Sequence, residues 1–203
     1  MFILCVSCDV HNSSVSPRSV VHLTMAASST SKEYFVSIPL AGYRRENGKM
    51  LHITIAFPGL LTDTEAQALK DKVVNLHSQL KWPVMANVVG EDNFGGNGVV
   101  TLAFDDKDTD EAIRKFQNDN TAPDHVSKGN WTPHVSWKEP ALLNCLRQLG
   151  ECGGAYIEIG IVGSNDAMYK TDLVPGMCWL PFMRDDYPHM TPIAHMCHDP
   201  PAK

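Results

Sequence analysis

The sequence predicts an α+β fold built on antiparallel sheets. Strand-like and helix-like segments are interspersed, in the order β-β-α-β-β-α-β-α-β-β. Several neighbouring strands lie close enough in sequence for hairpins, whereas a parallel pair needs a long crossover. Two strands, Leu51-His52-Ile53-Thr54-Ile55-Ala56-Phe57 and Thr132-Pro133-His134-Val135-Ser136-Trp137, carry matching polar residues and hint at two similar halves. A chain of 203 residues suits one domain with one core of ordinary size.

Each element has a local reason. Tyr34 to Leu40 alternates as a strand, with Pro39 suggesting its end or an edge. Asn47-Gly48 marks a turn, and the first motif strand follows, ending at Pro58-Gly59. Thr62-Asp63-Thr64-Glu65 is a capping box, and Ala66, Leu69, Val73, Leu76 and Leu80 form an apolar stripe at helical spacing. Val84 to Val89 and Gly98 to Phe104 read as strands joined by a Gly-rich connection. Asp108-Thr109-Asp110-Glu111 opens a second helix with Ile113 and Phe116 inward. A polar loop from Asn118 to Asn130 leads to the second motif strand. Pro140 suits a first helical turn, and that helix runs to Leu149. Tyr156 to Val162 alternates as a strand, and Gly176 to Phe182 reads as another.

Residues 1–32 are expected to form a flexible tail, 33–183 the folded domain and 184–203 a second, His- and Pro-rich tail. Met25 is an alternative start, because the compact pattern begins only after it. No segment has the length of a transmembrane helix, and Met1 to Val6 lacks the basic flank of a signal peptide. The expectation is a cytoplasmic, monomeric protein with reduced thiols, its six cysteines being scattered. A formal charge of −6 argues against coating a long duplex nucleic acid, and leaves a nucleotide or short oligonucleotide as a suitable partner.

The triplet His-x-Ser/Thr discriminates poorly by itself. With 24 Ser and Thr and nine His, chance supplies about one such triplet. The chain has six, at His11, His22, His52, His125, His134 and His189. Only His52 and His134 lie in apolar strands, where residues i and i+2 share a face. His52 is therefore expected beside Thr54, and His134 beside Ser136.

The pair His52-Ile53-Thr54-Ile55 and His134-Val135-Ser136-Trp137, preceded by Thr132-Pro133 and followed by Ile159-Gly160-Ile161-Val162, resembles the tandem signature of the 2H phosphoesterase superfamily, also called LigT-like. The resemblance spans roughly residues 33 to 183. It implies two lobes, each with an antiparallel sheet, around a central cleft that holds both motifs, with helices outside. It implies phosphodiester cleavage with no cofactor and no metal: His52 and His134 as general acid and base, Thr54 and Ser136 as donors to nonbridging oxygens. Imidazole suits this work because its ordinary pKa, about 6.5, keeps both protonation states accessible near neutrality.

Several further residues are candidate substrate contacts. Tyr43 and Arg45 precede the first motif strand, and Lys138 follows the second motif. Trp82 can stack on a base. The resemblance to the viral and phage branch that cleaves cyclic nucleotides assigns a base-reading carboxylate to Glu158. The substrate expected is a cyclic nucleotide, a 2′-5′ or 3′-5′ oligonucleotide or a cyclic dinucleotide signal. The alternatives are 2′,3′-cyclic phosphate processing at RNA ends and a nonenzymatic nucleotide or RNA binder. The terminal cluster of His189, His195, Cys197 and His198 lacks a scaffold that would orient it for a metal.

Overall fold

The computed structural model describes residues 31–44, 50–136, 151–173, 177–178 and 195–196. It contains ten strands and two helices among these residues: β1 Lys32–Arg44, β2 Met50–Leu61, α1 Asp63–Gln79, β3 Val84–Phe94, β4 Asn97–Phe104, α2 Lys107–Asn120, β5 His134–Ser136, β6 Glu151–Gly154, β7 Glu158–Ile161, β8 Ala167–Lys170, β9 Met177–Cys178 and β10 His195–Met196. Every strand pair is antiparallel. The fold class is α+β.

Eight of the strands order as β5-β4-β3-β6-β1-β7-β8, with β2 on β1, and β9 and β10 form a separate two-stranded sheet. Strand β1 joins the parts of the eight-stranded sheet. Its first half pairs with β2 on one side and β7 on the other, and its second half reaches β6 through Leu40↔Gly154. Proline makes that change of neighbour cheap. Pro39 lies between the last β7 partner, Ser37, and the first β6 partner, Leu40, so its missing N–H is not needed by either. Pro39 therefore marks a switch of partner inside a long interior strand, neither the strand end nor the edge position that sequence suggests.

Strand β2 also outruns its sequence boundary, continuing through Pro58-Gly59 to Leu61. The register jumps from Val36↔Ala56 to Tyr34↔Gly59, so Pro58 sits in an irregularity where the ladder asks for no N–H. Gly59 takes φ of 79°, a left-handed conformation that costs glycine little. A second shift, between Ser37↔Thr54 and Val36↔Ala56, leaves both Ile55 and Ala56 buried. The alternation of Leu51, Ile53 and Ile55 therefore does not carry on to Phe57, which is only half-buried.

The helices match their sequence signals. Thr62 caps α1 with both halves of the box made: Glu65 N–H donates to Thr62 Oγ1 at 3.3 Å, and Thr62 N–H to Glu65 Oε2 at 2.8 Å. Ala66, Leu69, Val73 and Leu76 are its buried side. Helix α2 starts slightly earlier than expected, because the carboxylate of Asp106 takes the N–H of Thr109 at 2.9 Å. Asp108 and Asp110 then fall in the first turn, where they favour the positive end of the helix dipole. Strands β3 and β4 meet in a two-residue turn, Gly95-Gly96, both at positive φ as such hairpins require.

Three strands were not legible. β6 includes Gly153 and Gly154, β8 is four residues between turns, and His195–Met196 pairs with Met177–Cys178 inside the segment expected to trail off. Gly154 of β6 is required by close approach. A Cβ on Gly154 would lie 2.2 Å from Ile38 Cγ2 and 2.9 Å from the Pro39 carbonyl oxygen. β7 spans Glu158–Ile161, shorter than the expected Tyr156 to Val162. The Asn47-Gly48 turn and the expected helix from Pro140 lie outside the described residues. The core gathers one face of each sheet region around α1 and α2, with Ile38, Leu51, Ile53, Ile113, Val135 and Ile159 all buried. Cys152 is buried within it. No described helix is long and apolar enough to cross a membrane.

At the end of α1, His77 Nε2 is buried with no hydrogen-bond partner among the described residues. Burial holds this imidazole below the ordinary histidine range, while the carbonyl and carboxylate of Asp172 pull partly the other way. A lowered pKa means the unfolded chain binds the proton first. Stability should therefore hold above about pH 6.5 and fall as pH drops through the folded-state value. Denaturant titrations between pH 8 and 5 on wild type and His77→Phe should show the wild-type slope shrinking in the variant. The lowered carboxylates of Glu65, Asp106 and Asp119 act in a lower window, as pH falls below the ordinary carboxylate range. Gly154→Ala, at the β1–β6 junction, should cost about 1–3 kcal/mol by overpacking in the same titration.

Candidate active site

Both motif strands present their polar pairs as the alternation requires. In β2, His52 and Thr54 are half-exposed while Leu51 and Ile53 are buried. In β5, Val135 is buried, His134 is half-exposed and Ser136 is exposed. Each histidine and its hydroxyl partner therefore turn away from the core on a common face.

The imidazoles are held in the same manner. His52 Nδ1 lies 3.3 Å from the carbonyl oxygen of Met50, and His134 Nδ1 lies 2.7 Å from that of Thr132. In both cases the partner is the backbone two residues earlier. A carbonyl can only accept, so each Nδ1 carries the hydrogen. In the neutral ring Nε2 is then the basic nitrogen, which is the orientation general-base chemistry uses. Each ring also meets a phenylalanine: Phe35 stacks on His52 at 5.4 Å, and Phe94 meets His134 edge-on at 4.8 Å. Gly160 makes room for the first of these, since a Cβ there would lie 2.2 Å from Phe35 Cζ.

His125 shows what a non-equivalent triplet looks like. Its Nδ1 accepts the backbone N–H of Ser127 at 3.2 Å, and Ser127 Oγ lies 2.8 Å away. The hydroxyl of this triplet is turned onto its own histidine, closing a loop turn. Accepting at Nδ1 puts the hydrogen of the neutral ring on Nε2, the opposite tautomer from His52 and His134. The ring stacks on Phe57 at 4.5 Å, beside the end of β2.

The two motif strands face each other edge to edge. β2 pairs only with β1 among the described strands, and β5 ends the sheet path. β2 and β5 nevertheless come into contact, and the segment between α2 and β5 runs along the open edge of β2. Ala122 N–H donates to the Phe57 carbonyl at 2.9 Å, Phe57 N–H to Thr121 Oγ1 at 3.3 Å, and Trp131 Nε1–H to the Thr54 carbonyl at 3.1 Å.

Comparison with known proteins adds a likeness of fold. No family model matches the chain, and no curated protein matches it. Among solved structures it is similar to the crystal structure of Escherichia coli LigT in apo form, with 12% identity and a TM-score of 0.41, over 70% of this chain and 96% of that one. A likeness that loose bears on neither the site nor its chemistry.

The remaining candidates fall in different places. The register places Thr54 opposite Ser37, Ser37 opposite Glu158, and Glu158 opposite Lys170, forming one row across β2, β1, β7 and β8. Glu158 is thereby on the face of Thr54, paired with Lys170 at 3.3 Å. Trp82 is engaged at the end of α1, its indole N–H donating to the His77 carbonyl at 2.8 Å and its ring tilted on the His77 imidazole. The backbone of Tyr43 lies in β1; its side chain, and all of Arg45 and Lys138, lie outside the described residues. No cluster of three or more His, Cys, Asp or Glu suited to a metal occurs among the described residues.

Ser37, Phe35 and Phe94 were missed. Ser37 is 1% exposed, and its Oγ has no hydrogen-bond partner among the described residues. Its signal was available: a hydroxyl between Val36 and Ile38 in an otherwise apolar strand. Nitrogen-15 NMR of the imidazoles near pH 8 should show Nδ1–H tautomers for His52 and His134 and an Nε2–H tautomer for His125. A common tautomer for all three would contradict this geometry.

Proposed function

We propose that this chain is a metal-independent phosphodiesterase of the 2H type, acting on a nucleotide, a cyclic nucleotide or a short 2′-5′ or 3′-5′ oligonucleotide. The observation that carries the reading is the repeated geometry of the two motifs. In two strands whose open edges meet, an imidazole is tied at Nδ1 to the carbonyl two residues earlier, with a hydroxyl next to it on the same face. The 2H motif resemblance noted in the sequence points the same way.

In this mechanism one neutral imidazole takes a proton at Nε2 from the nucleophile, a ribose hydroxyl or water. The other, protonated, delivers one to the leaving oxygen. Thr54 and Ser136 donate to nonbridging oxygens as negative charge grows on them. The bond from phosphorus to the leaving oxygen breaks as that to the nucleophile forms, and one proton is taken and one returned. The Thr54, Ser37, Glu158 and Lys170 row supplies both acceptors and donors, which suits the edge of a nucleobase. A base-edge contact at Glu158 favours a cyclic nucleotide or dinucleotide substrate over a bare RNA end. The working unit is residues 33–183, acting as a cytoplasmic monomer.

The test is a panel of 2′,3′-cyclic mononucleotides, 2′-5′ oligoadenylate, and 3′-5′ and 2′-5′ cyclic dinucleotides, assayed in EDTA. His52→Ala or His134→Ala should each lower kcat by about 10²–10⁴-fold with the fold intact by circular dichroism. The wild-type rate should be bell-shaped in pH, because one ring must be neutral and the other charged. Activity that appears only with added divalent metal, or that survives both substitutions, would sink the mechanism.

A further inference from the structure

We infer that Trp131 is a positioning residue that sets the offset between the two motifs. The inference rests on the functional reading above and deepens it. Trp131 lies three residues before His134 in sequence, and its indole N–H ends on the carbonyl of Thr54, two residues after His52. One side chain therefore bonds the first motif strand while its own backbone leads into the second.

The indole is built in rather than draped over the surface. Trp131 is 8% exposed. Phe104 stacks on it at 6.4 Å, and the Arg114 guanidinium lies 5.7 Å from its ring centre. Arg114 also donates from Nη1 to the Trp131 carbonyl at 3.2 Å, while its Nε is held by Asp110 at 2.8 Å. Helix α2 thereby grips both the ring and the backbone of this residue. Beyond it, the Pro133 carbonyl accepts from Leu102 N–H at 2.8 Å, which ties the approach to β5 onto β4.

The facing edges of β2 and β5 make this bond matter. With no ladder between them, sliding of one edge along the other is opposed by the few bonds that cross the gap. The Thr121 and Ala122 bonds hold β2 at Phe57, beyond the motif. The Trp131 bond holds it at Thr54, inside the motif, and a shift of about 1 Å between acid and base can cost about 10²-fold in rate. Loss of the indole N–H should thus act on kcat, since ground-state binding draws on the wider face.

The test compares wild type, Trp131→Phe and a Trp131 isostere whose indole nitrogen is replaced by sulfur (benzothienylalanine). Each is assayed on the substrate panel in EDTA, well below its own Tm. The expected result is kcat lowered at least about tenfold in both variants, with KM within about twofold. The isostere keeps the ring volume, so it remains informative if Trp131→Phe does not fold. A merely structural role would lower Tm and leave kcat unchanged below it. A readout without turnover is titration with inorganic phosphate, followed at the ring signals of His52 and His134. Wild type should show one common binding curve for both rings, and the variants a weaker curve or two separate ones. Wild-type turnover with kcat of the isostere within twofold overturns the inference alone. A wild-type chain that neither turns over the panel nor shows a common curve overturns the functional reading and the inference with it.

Discussion

The open edge of β2 is the constraint on which the arrangement of this protein depends. An edge strand presents unpaired N–H and C=O groups, and leaving them unsatisfied is costly wherever water is excluded. Here the connection from α2 to β5 supplies the partners. Thr121, Ala122 and Trp131 bond to Phe57 and Thr54 in place of another strand. That connection then enters the second motif. The satisfaction of one edge and the placement of the second histidine are thus a single structural event.

A second constraint acts on the imidazoles. In both His52 and His134 one neighbour orients Nδ1. The backbone carbonyl two residues upstream does so, and a strand repeats that geometry wherever the ring folds back along its own chain. A backbone carbonyl is neutral, and it sets the tautomer by accepting the Nδ1 hydrogen. His125 reverses the arrangement, because in a turn the backbone N–H of Ser127 points at the ring instead. The same three-residue pattern therefore yields opposite ring nitrogens in strand and in turn.

Much of the fold was legible. The Thr62 to Glu65 box, the Ala66, Leu69, Val73 and Leu76 stripe, and the Ile113 and Phe116 pair depend on local hydrogen bonds and on the 3.6-residue period, which need no distant partner. The faces of His52, Thr54, His134 and Ser136 follow from the two-residue strand period. β6 was missed because glycines have low strand propensity, and Gly154 is there for the close approach of Ile38 and Pro39. Pro39 suggests a strand end or an edge and Pro58 a strand end, because a single sequence does not show which N–H groups a ladder leaves idle.

By itself, the sequence determined which side chains share a face, where the helices begin, and that two of six His-x-Ser/Thr triplets lie in apolar strands. Those properties are local, fixed by backbone periodicity and capping. Only the tertiary structure decided that the two motif strands meet edge to edge, that Trp131 bridges them across 77 residues, and that Ser37 and Glu158 stand in the row of Thr54. Those are matters of register and packing between distant segments, and no local preference encodes them.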